Sequence, residues 1–237
     1  MFETILLLSG VIAGVTAAVA GFGIGSILTP LLGLKLGTKL AVAAVSIPHL
    51  AGTALRFWLL RGHLDRRVLL RFGLTSAVGG LLGALLHARF GGALLSGILG
   101  ALLVFAGFMG LTGLAQQMKL SGKAAWAAGL LSGLLGGLVC NQGFIRSAAM
   151  LGFHVSKESF VATATAVGLI VDGARMPVYL FKEAAGLREN GALILYASAG
   201  VLAGTALGMR FLKNIPERAF RKIVCGFILC LGLYLLI

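Results

Sequence analysis

The chain has 237 residues, 59% of them hydrophobic and only 11% charged, with a formal net charge of +13. Soluble domains carry about 25% charged residues, so a soluble globular fold is excluded and the chain is expected in lipid. An open sheet is excluded because lipid cannot satisfy its edge groups, and the continuously apolar runs lack the alternation of a barrel. An all-α polytopic membrane bundle remains.

The first predicted element is residues 5–34, two apolar arms around Gly21-Phe22-Gly23. Ala18-Val19-Ala20 resembles a signal-peptide cleavage site. No basic stretch precedes it, and the residues that follow match a later part of the chain, so the segment is expected to be retained. At 1.5 Å per residue the arms 5–20 and 24–34 span about 24 and 17 Å. The second is too short for a ~30 Å hydrocarbon core, so this stretch is predicted as a broken-helix hairpin. Transmembrane helices are predicted over 40–60, 68–87 and 93–114, completing a first unit at 1–118.

Arg56 lies deep in the first of those helices, in LAVAAVSIPHLAGTALRFWLL. A charge near the bilayer centre costs ~2.5–3.5 kcal/mol on the lenient insertion scale, so such a group is expected to meet a partner, line a cavity or hold an anion. Nearby, His49 follows Pro48 and is either a hydrogen-bonding group or one that titrates near neutrality. Ser46 is a candidate cavity hydroxyl. Trp58, at the helix end, is expected to anchor at the interface.

The second unit, 119–237, repeats this plan with a hairpin over 124–153 and helices over 159–181, 191–212 and 217–237. Setting Gly10–Leu60 against Gly129–Tyr179 matches Gly10, Gly14 and Gly33 with Gly129, Gly133 and Gly152. In the same register of 119, Arg56 meets Arg175, Ser46 meets Thr165, and Thr53 meets Asp172. Gly79 and Gly83 face Gly204 and Gly208 once the register shifts to 125 across the polar loop KEAAGLREN. The pairs Gly10/Gly14, Gly79/Gly83, Gly129/Gly133 and Gly204/Gly208 have the spacing at which small residues let membrane helices approach closely. Tyr179, like Trp58, is expected at the interface.

Charge distribution sets the orientation. Of 20 Lys and Arg, Arg56, Arg146 and Arg175 fall within apolar runs. If residues 5–34 and 124–153 each crossed once, the loop charges would divide 9 to 8 and carry no topology signal. With hairpins, Lys35, Lys39, Arg89, Lys182 and Arg188 fall on one face and the remaining 12 on the other. That asymmetry obeys the positive-inside rule and places both termini outside the cytoplasm, in the cytoplasmic (inner) membrane. A hairpin plus three full spans is an odd number of crossings, so the two repeats are predicted to be inverted. The basic loops RGHLDRR and RFLKNIPERAFRK read as topology signals and anionic-lipid contacts, not a nucleic-acid surface.

The breaks carry the local chemistry. Gly21, Gly23, Gly25 and Ser26 lead into a new helical run containing Pro30, and Asn141, Gln142, Gly143, Arg146 and Ser147 occupy the matching place in the second copy. Each puts the amino end of a half-helix inside the membrane, where free N–H groups and the positive dipole accept an anion. With Arg56 and Arg175 these residues form the candidate substrate site.

Asp172 and Arg175 are three apart and share a helix face. Either Asp172 holds Arg175 in place, leaving Arg56 or Arg146 as the better anion ligand, or it is a proton-coupling carboxylate. With His49, Ser46, Thr163 and Thr165 it forms the candidate coupling and gating set. Cys140, Cys225 and Cys230 have no metal spacing and read as packing thiols. No metal or cofactor is expected. There is no GxxxxGK[ST] loop, and for acid–base or metal chemistry the membrane region offers only Asp172, His49 and Cys140, distant in sequence and in no recognised motif. The expectation is therefore a non-enzymatic secondary transporter, with a passive anion channel as the alternative and an intramembrane enzyme as a weaker one. The coupling ion (H+ or Na+), the direction of transport and the oligomeric state are left open by these residues.

AGFGIGSILTPLLGL and GGLVCNQGFIRSAAMLGF, each followed by an apolar span bearing hydroxyls, resemble the paired Gly-rich motifs of the sulfite exporter TauE/SafE family. The likeness runs over essentially the whole chain. Gly21, Gly23, Gly25 and Pro30 match the family's first motif, whereas the second copy lacks the proline and carries Arg146 instead. The resemblance implies movement of sulfite, thiosulfate or organosulfonates across the cytoplasmic membrane. The residues point to an anion, and the resemblance alone supplies the sulfur.

Overall fold

The computed structural model describes residues 1–114, 123–150, 157–211 and 217–237. The first copy forms α1 (Phe2–Ala20), α2 (Ile24–Leu36), α3 (Thr38–Leu60), the single turn α4 (Arg66–Val68), α5 (Leu74–Arg89) and α6 (Gly92–Thr112). The second forms α7 (Lys123–Val139), α8 (Gly143–Met150), α9 (Lys157–Lys182), α10 (Ala184–Glu189), α11 (Gly191–Phe211) and α12 (Glu217–Leu236). Among the described residues there are no strands, and five helices are long and apolar enough to cross a membrane. The chain is an all-α polytopic membrane protein.

Both predicted breaks are present, after Ala20 and after Val139. Two elements differ from expectation. The helix predicted over 68–87 starts instead as α4 and passes through a π turn, Leu69–Gly73, before α5 begins. Asp65 caps that start, its carboxylate accepting from the Arg67 and Val68 amides. The polar loop KEAAGLREN holds α10, which forms because Leu187 is buried there. The outer ends of the hairpin at 124–153 and of the helix at 191–212 fall partly outside the described residues.

The glycine pairs set the helix packing. α1 lies along α11 and α5 along α7. A Cβ on Gly79 would sit 2.1 Å from the Leu130 carbonyl oxygen, and one on Gly204 would sit 2.0 Å from that of Val11. These are one contact made twice, since Leu130 is Val11 shifted by 119. Gly83 against Leu134 and Gly208 against Val15 repeat the relation. Without a hydrophobic drive between helices in lipid, such backbone proximity supplies the van der Waals attraction that holds them together.

The two long central helices, α3 and α9, cross in opposite directions. Ser46 meets Met176 and His49 meets Asp172, and a Cβ on Gly168 would touch Thr53 at 3.4 Å. Numbers fall on α9 as they rise on α3. α6 and α12 are antiparallel too, with Gly100 close to Gly232 and Leu236, and Gly107 close to Cys225 and Leu229.

Candidate functional site

The two breaks meet near the middle of the bundle. Gly21, at φ 79°, closes α1 in the left-handed conformation, and Gly23, at φ 135°, starts α2 with a backbone only glycine adopts readily. At the place of Gly21 in the second copy stands Cys140, held at φ 58°. The breaks interlock: a Cβ on Gly25 would fall 1.8 Å from the Cys140 carbonyl oxygen, and one on Gly143 2.2 Å from the Phe22 Cβ. The first helical bond of α2 is Ile27 N–H to Gly23 C=O at 2.9 Å; that of α8, again 119 residues on, is Arg146 N–H to Gln142 C=O at 3.2 Å. The amides at 24–26 and 143–145 precede those bonds and have no intrahelical acceptor.

Between the breaks lies a narrow hollow of about 10 Å³, roughly the space of one water molecule, lined by Ala17, the run Gly21–Ser26, His49, Arg56, the run Cys140–Gly143 and Arg146. Arg56 and Arg146 are both buried. Arg56 donates from Nη1 to the Ala17 carbonyl, and Arg146 from Nη2 to that of Gly21 at 3.1 Å. Both guanidinium groups therefore hold the carbonyl end of α1, where the helix dipole is negative. Their other donors are less occupied. Arg56 Nε, Arg146 Nε and Nη1, Asn141 Nδ2 and Gln142 Nε2 are buried with no hydrogen-bond partner, alongside one acceptor, Gln142 Oε1.

Arg175 stands apart from this lining. It donates from Nη1 to Gly136 C=O, the counterpart of the Arg56 bond to Ala17 at a register of 119. Its Nη2 also lies 2.7 Å from Asp172 Oδ1, placed as a charge contact, not a linear hydrogen bond. The other Asp172 oxygen is 2.7 Å from His49 Nδ1. The acid thus joins α9 to α3 and compensates Arg175, while among the described residues the hollow itself has two guanidinium groups and no lining carboxylate.

The remaining candidates divide. Gly21, Gly23, Gly25, Ser26, Asn141, Gln142, Gly143 and His49 line the hollow, whereas Arg175 and Asp172 lie behind it. Ser46 is turned to its own helix, donating to Ala43 C=O at 2.6 Å. Thr163 accepts from the Asp65 amide at 2.9 Å, next to the start of α4. Thr165 is buried outside the lining. The Ser147 side chain lies outside the described residues.

Tyr179 is not an interface anchor. It is fully buried, donates to Gly137 C=O and packs edge-on against His87, whose Nδ1 lies 2.9 Å from Leu138 C=O. Arg175, Tyr179 and His87 thus hold three successive carbonyls at the end of α7. Trp58 is 65% exposed with Arg61 stacked over its ring, as an interfacial residue would be. Sequence reasoning missed Gly168. A Cβ there would lie 2.7 Å from Arg146 Nη1, so this glycine makes room for the extra guanidinium.

The family model for the sulfite exporter TauE/SafE matches residues 6–235. No curated protein and no solved structure gives a significant match. The chain belongs to the TauE/SafE family and is a multi-pass membrane transporter protein.

Proposed function

We propose that this TauE/SafE member is a secondary transporter carrying a small sulfur-containing anion, of the sulfite, thiosulfate or organosulfonate class, across the cytoplasmic membrane. The observation that carries the reading is the excess, among the described residues, of unpaired donors over acceptors in the hollow, beside two guanidinium groups with no lining carboxylate. Buried polar groups are ordinarily hydrogen-bonded, and an anion is the ligand that would satisfy this set. The family supplies the chemical class. Arg56 and Arg146 provide charge, Asn141 and Gln142 provide directed N–H groups, and the amides opening α2 and α8 complete an oxyanion cradle.

The same contacts link binding to movement. Arg56 and Arg146 now hold the carbonyl end of α1. An anion competes for both guanidinium groups, and charge-assisted bonds are roughly twice as strong as neutral ones. Loading the hollow therefore loosens the first hairpin while α7 stays clamped by Arg175, Tyr179 and His87.

The test is transport into proteoliposomes of sulfite, thiosulfate and a short alkyl sulfonate, with carboxylates of similar size as controls. Accumulation against a gradient is expected, with Arg56→Gln/Arg146→Gln reducing it at least tenfold, or about 1.4 kcal/mol. Equal transport by that variant would refute the site, and flux that only equilibrates would favour a channel.

A further inference from the structure

Among the described residues His49 is the one imidazole in the hollow lining, and it breaks the internal repeat. Its counterpart in the register of 119 is Gly168, and that of Asp172 is Thr53. The imidazole–carboxylate pair therefore exists once, bridging the halves.

We propose that His49 Nε2 is the proton-binding site of this transporter, and that a proton enters with the anion. The inference rests on the transport reading above. Asp172 is fully buried and held by Arg175 on its other oxygen, so it is an anion, and the 2.7 Å contact requires the His49 proton on Nδ1. Nε2, across the ring, is then the basic nitrogen left for the hollow that His49 lines. A carboxylate behind the imidazole fixes its tautomer and stabilises the imidazolium once a second proton arrives.

The charges facing His49 set the sign of the coupling. Among the described residues, Arg56 on its own helix and Arg175 and Asp172 on α9 carry the charges that act on it, and Arg146 on α8 and the Cys140 thiol share the hollow lining with it. These sum to two positive charges, which oppose protonation while the hollow lacks an anion. A bound anion lowers that excess, and a dianion such as thiosulfate cancels it, so anion and proton each raise the affinity for the other, as linkage requires. Movement of the loaded site then carries both. Asp172 is a positioning residue in this scheme, not the carrier.

The experiment is calorimetric titration of the purified protein with thiosulfate, which itself carries no proton near neutrality, in buffers of different ionisation enthalpy. Wild type is expected to take up about one proton per anion, so that affinity rises roughly tenfold per unit fall in pH while Nε2 is unprotonated in the free protein. His49→Gln, which retains a donor toward Asp172, is expected to bind more weakly with no proton uptake and a flat pH profile. Thiosulfate binding to wild type without proton uptake would overturn the coupling and leave the transport reading standing. Uptake surviving in His49→Gln would overturn the assignment to His49. Absence of thiosulfate binding to wild type would instead strike the anion site itself, and this inference with it. If His49→Gln does not fold, His49→Asn takes its place, with uptake surviving in it overturning the assignment in the same way.

Discussion

Arg175 has Asp172 within 2.7 Å, three residues back on its own helix, while Arg56, at the matching place on α3, has Thr53 there. Among the described residues the first guanidinium has a carboxylate within ion-pair distance and the second has none, so their removal has different consequences. Arg175→Gln strands Asp172 in the interior beside a single imidazole. Breaking a buried pair from one side costs about 3–5 kcal/mol, which thermal unfolding in detergent should register as a marked loss of melting temperature. Asp172→Asn combined with Arg175→Gln is expected to lose much less than the sum of the single changes. Arg56→Gln removes an unpaired charge and is expected to melt at or above wild type while losing anion binding. Equal melting losses for Arg56→Gln and Arg175→Gln would show that the two arginines are not divided between ligand and scaffold.

That division was half legible in the residues. The Asp172–Arg175 spacing of three announces a pair on one helix, and Thr53 opposite Asp172 marks the asymmetry. The bond from Asp172 to His49 could not be read, because the two are 123 apart and outside the repeat register of 119. Nor could Gly168 be recognised as the space for Arg146, since a lone glycine in an apolar helix looks the same whatever it faces.

At the scale of elements, glycine acts by its distance to a neighbouring backbone. Gly79 and Gly204 each face a carbonyl at about 2 Å from a built Cβ, while Gly97 and Gly226 meet nothing within 4 Å. Overpacking a tight contact costs about 1–3 kcal/mol or more. Gly79→Ala and Gly204→Ala are therefore expected to lower the yield of monodisperse protein on size exclusion, whereas Gly97→Ala and Gly226→Ala leave it near wild type. Matching losses in all four would show that helix flexibility, not proximity, is what glycine supplies. Gly25→Ala tests the crossing of the breaks, since its Cβ would drive the Cys140 carbonyl away. Anion affinity is expected to fall at least tenfold, about 1.4 kcal/mol, in whatever protein remains folded. The GxxxG spacing exposed the close pairs in advance because four residues return to one helix face. The Gly25–Cys140 contact has no such periodic signature, as it joins two irregular turns.

For the whole molecule, the directions of the central helices bear on topology. If each copy began with a single full crossing, α3 and α9 would enter the membrane from the same side and run parallel. They run antiparallel, as do α6 and α12, with residue pairs such as His49–Asp172 and Gly107–Cys225 falling in opposite order. That is the pairing expected when a hairpin opens each copy and the copies are inverted, and it agrees with the distribution of basic residues between the two faces. Inverted halves with broken helices at a shared site are a recurring plan in secondary transporters. The orientation is then open to a direct test. His63, after α3, and Glu189, after α9, are both exposed and belong to loops at comparable places in the two copies. In a background with Cys140, Cys225 and Cys230 replaced, His63→Cys is expected to react with a membrane-impermeant maleimide only in inside-out vesicles. Glu189→Cys should react in intact spheroplasts. Labelling of both from the same side would refute the inversion, and labelling with the sides exchanged would keep the inversion but reverse the assigned orientation.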